Sequence, residues 1–182
     1  MVDFSLLPRK AQERLTRISN ALNGVVPTET KIWKIRTNIL TAGSKDFPLI
    51  KDVKAWSKPG CIYLYTLSLP SNFAGLSRLV EVYKNAKTSE KHNRAYARLN
   101  DPSSCLYVGS SEKIHQRIKE HLGFGAQGTY SLQLAYWAST FDLELAFECA
   151  KYAEGATPEV IQTLEDTLWA ELKPMFGRQG AR

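Results

Sequence analysis

Two short apolar runs constrain the fold of this chain more than anything else in it. CIYLYTLSL, residues 61–69, is rich in aromatic and β-branched residues, follows Gly60 and stops at Pro70. CLYVG, residues 105–109, repeats the pattern and stops at a glycine. Apolar runs of this length, bounded by glycine and proline, read as strands. The second passes almost at once into Glu112 to Leu122, a helical stretch in which Arg117 and His121 stand one turn apart and so share a face. Gly109 is expected to end the strand and let the backbone turn tightly into that helix. Leu143, Leu145, Phe147 and Cys149 alternate with more polar positions, the pattern of a third strand with one buried face. The chain therefore reads as α+β, with three strands and helices around them.

The remaining segments supply those helices. Leu7 to Leu22 is an amphipathic helix carrying Arg9, Lys10, Arg14 and Arg17, and it breaks at Gly24 and Pro27. Lys31 to Leu40 is a basic run, with Lys31, Lys34 and Arg36 around Trp33, able to clamp phosphates and stack on a base or simply to surround a structural tryptophan. Lys51 to Pro59 reads as a loop. Residues 70–104 form a helical insertion between the first two strands, with Leu76, Leu79, Val80 and Tyr83 at helical spacing and a basic tail of Lys84, Lys87, Lys91, Arg94 and Arg98. Ser131 to Trp137 is expected to be a further helix. The last helix starts clearly, with Thr157 as N-cap, Pro158 in the first position and Glu159 at the positive end of the dipole. The expected division is a basic N-terminal extension over 1–58 and a core domain over 59–182.

With 182 residues, 43% hydrophobic and 23% charged, the chain can bury a sizeable core. No run approaches the roughly 18 apolar residues of a membrane span, so no membrane partner and a cytoplasmic setting are expected. Cys61, Cys105 and Cys149 are far apart in strand-like runs and read as core thiols. The net charge of +6 is uneven: residues 1–58 hold 11 Lys/Arg against 5 Asp/Glu, and residues 105–182 hold 7 against 10. A basic front half on a mildly acidic back half is the electrostatic footprint of a nucleic-acid binder.

One residue breaks the pattern of the final helix. Val160, Ile161, Leu164, Leu168, Trp169 and Leu172 occupy one apolar half, and Glu165 falls inside it. A carboxylate there must be paired, protonated or bound to a cation, because burying it alone is costly.

Gly60-Cys61-Ile62-Tyr63, then Leu106-Tyr107-Val108-Gly109, then Arg117, then Glu165 ahead of Leu172-Lys173-Pro174 together resemble the GIY-YIG nuclease superfamily, closest to its restriction-endonuclease branch. The resemblance covers residues 60 to about 180, and its specificity lies in the order of these parts rather than in any single tripeptide. It implies a small three-stranded antiparallel sheet flanked by helices and a metal-dependent endonuclease that cuts a phosphodiester of DNA with Mg²⁺ or Mn²⁺. Carried over residue by residue, it implies that Glu165 holds the metal and Arg117 grips the scissile phosphate. Tyr63 and Tyr107 would position or deprotonate the attacking water, with His121 beside them. Two features depart from the family pattern. Gly177 stands where the family carries an asparagine, and 43 residues separate Tyr63 from Tyr107 in place of a short hairpin.

The residue types suit that chemistry. A guanidinium offers a rigid fork of donors to the nonbridging oxygens of a crowded, dianionic transition state. A hard cation that keeps most of its waters can be seated by a single carboxylate. A tyrosine with its ordinary pKa near ~10 needs a neighbouring positive charge to act as a base at pH 7. The expected partner is double-stranded DNA, contacted by Arg14, Arg17, Lys34, Arg36, Lys91 and Arg94, and cutting both strands with one site per chain favours a homodimer. The alternative is a nucleic-acid-binding module on the same fold that does not cut, motivated by Gly177.

Overall fold

The structure is a computed structural model that describes residues 4–40, 47–89, 93–153 and 156–180. Among these the α-helices are α1 (Leu7–Leu22), α2 (Pro48–Trp56), α3 (Leu76–Thr88), α4 (Ile114–Leu122) and α5 (Pro158–Leu172). The strands are β1 (Glu29–Arg36), β2 (Ile62–Ser68), β3 (Cys105–Ser111) and β4 (Glu144–Tyr152). They form one antiparallel sheet in the order β1-β4-β2-β3. The α+β class is as expected, but the sheet has four strands rather than three.

The additional strand comes from the segment read as a basic extension. In β1 the buried positions are Trp33 and Ile35, which pair across with Phe147 and Leu145 of β4. The Trp33 and Phe147 rings stack with centroids 5.4 Å apart. Lys31, Lys34 and Arg36 obscured this alternation in the sequence, because an edge strand buries too few residues to show a clean period of two. Lys34 and Arg36 instead reach across the edge to Glu144 and Asp142. Lys151, nearly buried on β4, is held by Glu29 of β1 at 2.7 Å and lies 4.1 Å from the centroid of the Trp56 ring.

Two further expectations are corrected. The segment from Lys51 carries most of α2, started by Pro48 and burying Leu49 and Val53; its short length and two lysines had read as loop. Ser131 to Trp137 is not an α-helix but leads through two 3₁₀ turns, Leu134–Tyr136 and Ala138–Thr140, entered through Gln133 at φ 57°.

The sheet separates two apolar clusters. The larger one joins Tyr63, Tyr65 and Leu67 of β2 with Leu145 and Phe147 of β4, Leu79 and Tyr83 of α3, and Ile118 and Leu122 of α4. The smaller joins Ile62, Leu64 and Tyr152 with Ile161, Leu164 and Leu168 of α5. After α5 the chain turns at Lys173 in the left-handed region, and its backbone then docks on β3, where Met175 and Phe176 donate to the carbonyls of Cys105 and Leu106. The three cysteines are free thiols, with Cys105 and Cys149 buried. No helix among the described residues is long and apolar enough to cross a membrane.

These attachments differ sharply in strength. α1 buries no residue and meets α5 through Arg14 and Arg17 on Glu159, at 3.2 and 3.5 Å and largely exposed. Deleting residues 1–22 should therefore cost no more than about 2 kcal/mol in a urea titration. Deleting residues 1–40 removes Trp33, Ile35 and the partner of Lys151, and should abolish cooperative unfolding altogether.

Candidate active site

The guanidinium of Arg117, in the middle of α4, is the centre to which the candidate residues converge. Its Nη2 donates to the Tyr107 hydroxyl at 3.0 Å, its Nε to the Tyr65 hydroxyl at 3.3 Å and its Nη1 to Glu120 Oε2 at 2.8 Å. Nη2 also reaches the carbonyl of Tyr130 at 3.4 Å. Burial works against the Arg117 charge, but the two tyrosines and Glu120 more than offset it, so its pKa moves up and the group stays charged. The side chain keeps 22% of its surface exposed, toward an open cleft of about 410 Å³ lined by residues 110–113 with Gln116, Arg117 and Glu120.

His121 lies behind this centre, wholly buried. The Leu132 N–H points at its Nδ1 at 3.3 Å, so the network assigns the proton to Nε2, which donates to the Tyr65 hydroxyl at 3.0 Å. Burial first, and the neighbouring Arg117 charge second, push the imidazole well below its ordinary range, so it is neutral. The Tyr65 oxygen thus accepts from two N–H groups, an arrangement that would favour a phenolate. Burial outweighs it, and with the charges of Tyr107 and Glu165 it holds the Tyr65 pKa well above the ordinary phenol value.

Of the residues singled out in the sequence, Tyr107, Arg117 and His121 are brought together, and the charge of Glu165 acts on Tyr65 beside them. Tyr63 is not among them. Its hydroxyl accepts from the Lys58 N–H at 2.6 Å and its ring packs on Trp56, so it anchors the turn between α2 and β2. The tyrosine at the site is Tyr65, two residues on and therefore on the same sheet face, a choice that only the register could make: Tyr65 pairs with Gly109. Sequence reading also missed Glu120, although its i+3 spacing from Arg117 is the signal for a helix ion pair.

Gly109 serves a different purpose from the one expected. The strand continues through it to Ser111, and a Cβ at 109 would lie 2.8 Å from both the Tyr65 hydroxyl and Tyr107 Cε1. The glycine clears the space that the two tyrosines fill. Gly177 acts similarly from the other side: at φ 108° it favours glycine, and a Cβ would meet the Tyr107 ring at 3.1 Å. An asparagine there would need both a strained backbone and a displaced ring.

The residues expected to contact DNA are occupied elsewhere. Arg14, Arg17, Lys34 and Arg36 pair with Glu159, Glu144 and Asp142. Arg94 donates to Gln133, Tyr136 and the Gly125 carbonyl, an internal brace. Lys91 lies outside the described residues.

Among the described residues no group of three or more His, Cys, Asp and Glu side chains gathers where a metal could sit. The oxygen groups around the guanidinium are the Glu120 carboxylate and the Tyr65 and Tyr107 hydroxyls, with the Glu165 carboxylate near enough for its charge to act on Tyr65; hard oxygen donors of this kind suit a mostly hydrated cation. Compared with protein-family models, curated proteins and solved structures, the chain matches none.

Gly109→Ala should lower stability by about 1–3 kcal/mol and separate the two tyrosine hydroxyls, checked by thermal melting and by tyrosine fluorescence. The buried, neutral His121 has its own signature. Its folded pKa lies below the unfolded value near ~6.5, so the unfolded chain gains a proton that the fold refuses, and stability falls as pH drops below that value by up to about 1.4 kcal/mol per unit. His115 shifts the same way through burial and nearby lysines, so His121→Asn should reduce this slope between pH 7 and 5.5 without removing it. A wild-type stability unchanged over that range would refute the buried neutral assignment.

Proposed function

We propose that the chain is a metal-dependent endonuclease that hydrolyses phosphodiester bonds in DNA, in the manner implied by its resemblance to the GIY-YIG nucleases. The observation that carries this reading is the convergence of Arg117 with the hydroxyls of Tyr65 and Tyr107 at the edge of an open cleft. The guanidinium meets a phosphate through its exposed edge and stabilises the charge that builds on the nonbridging oxygens. The two hydroxyls, held in place by that same guanidinium, orient the attacking water. His121 is a positioning residue, because it is wholly buried and acts on the site through its hydrogen bond to Tyr65 and its packing on Tyr107. Glu165 is the candidate seat for Mg²⁺ or Mn²⁺, which when bound supplies Lewis-acid charge at the phosphate.

Tyr65 in this state is a better hydrogen-bond partner than base, since its proton is held tightly. The water's proton is therefore passed to solvent, favoured by the Arg117 charge at the phosphate, and not to a phenolate waiting at neutral pH. One observation favours the alternative, a module that binds nucleic acid without cutting: the 2.8 Å ion pair in which Glu120 already occupies Arg117. A substrate phosphate must share or displace that contact.

Purified protein with Mg²⁺ or Mn²⁺ should nick plasmid DNA, and EDTA should stop it. Glu165→Gln and Arg117→Ala should remove cleavage while leaving the melting transition cooperative. Tyr65→Phe and Tyr107→Phe should each slow cleavage by at least about a hundredfold, whereas Tyr63→Phe should retain most of the rate and lose stability instead. Binding without cleavage under both metals would favour the inactive module.

A further inference from the structure

Tyr130 is a large aromatic residue beside the site that the reading above does not use. The residue is 72% exposed, while its carbonyl accepts from Arg117 Nη2 at 3.4 Å. An exposed ring on a mobile loop would mean little, but this loop is braced on every side. Arg94 donates to the Gly125 carbonyl at 2.7 Å, Ala95 N–H to the Gln127 carbonyl at 2.8 Å, and Gln133 Nε2 to the Thr129 carbonyl at 3.1 Å. The next residue, Ser131, is fully buried and donates from its hydroxyl to the Glu120 carbonyl at 2.8 Å. Gln133 adopts the left-handed region to make its contacts, at φ 57°. A half-buried arginine, a buried glutamine and a disfavoured backbone angle are thus committed to a loop whose tip holds an aromatic ring out into solvent.

We propose that Tyr130 is a nucleobase platform, stacking on an unpaired base of the nucleotide next to the phosphate that Arg117 holds. The inference rests on the nuclease reading and makes nucleic acid with an unstacked base at the cut, such as a flap or a gapped strand, the preferred form of its substrate over intact duplex. The physical basis is general: every base has a π face, stacking on an aromatic side chain tolerates any sequence, and a base inside an intact duplex is already stacked and out of reach. A rigid loop is the efficient support for such a platform, because the ring is positioned before the substrate arrives and little ordering is lost on binding. The same bracing explains why Arg94 points inward.

The test is fluorescence anisotropy in EDTA with three labelled DNAs: a plain duplex, the same duplex with a single-stranded flap, and that flap with abasic nucleotides at its first two positions. Wild type and Tyr130→Phe should bind the intact flap at least about fivefold tighter than the other two. Tyr130→Ala should bind all three alike, with its melting temperature essentially unchanged because an exposed ring contributes little to the fold. Arg117→Ala should weaken binding to all three together. If Tyr130→Ala keeps the flap preference, or if Tyr130→Phe loses as much as Tyr130→Ala, the platform is refuted while the nuclease reading stands. If wild type binds none of the three, the platform falls together with the nuclease reading, which plasmid cleavage tests separately.

Discussion

Almost everything at the candidate site depends on one partly buried arginine. Withdrawing a guanidinium from water is costly unless its donors are met, and Arg117 meets them with acceptors from four parts of the chain: Tyr65 on β2, Tyr107 on β3, Glu120 on its own helix and the carbonyl of Tyr130 in the following loop. The side chain therefore does the work of a clasp. It holds α4 against the sheet and aligns two hydroxyls that are 42 positions apart in sequence. Neutral His121 completes the arrangement from behind, since a second positive charge at that depth would repel the first.

Small residues make room for this clasp. Gly109 and Gly177 flank the Tyr107 ring, one on the strand and one on the segment that returns after α5, and neither position would accept a side chain without shifting an aromatic. The return segment is itself held by its backbone bonds to Cys105, Leu106 and Arg98. At Gly177 the backbone thus approaches the Tyr107 ring closely and is tied by its N–H to the Arg98 carbonyl, in the segment between β2 and β3.

The sequence revealed the parts of the fold that bury a continuous face and concealed those that bury little. β2, β3 and β4 were legible because their apolar runs are long enough to show strand character, and α5 because Thr157 caps it, with its hydroxyl accepting from the Val160 N–H. β1 was not, because only Trp33 and Ile35 of its eight residues are buried, and Lys31, Lys34 and Arg36 around them made the stretch read as a basic run. The site was legible as to residue type and helix face but not as to register. Tyr63 and Tyr65 are equivalent by periodicity, and only the pairing of β2 with β3 shows that Tyr65 is the one opposite Gly109.

Charge is where composition informs least. The excess of lysine and arginine in the first 58 residues suggested a bare basic face, yet Arg14, Arg17, Lys34 and Arg36 all lie beside acidic residues contributed by the back half of the chain. The asymmetry along the sequence is reduced in space at these four residues, because β1 pairs with β4 and α1 meets α5. At the candidate site the charge is mixed: the cleft wall carries Lys113 and Arg117 together with Glu112 and Glu120. Attraction of a polyanion to such a mixed surface is short in range and easily screened by salt. Under the nuclease reading proposed above, recognition would rest on contacts made at close quarters, by the guanidinium, the hydroxyls and the ring beside them, more than on long-range steering of DNA toward the protein.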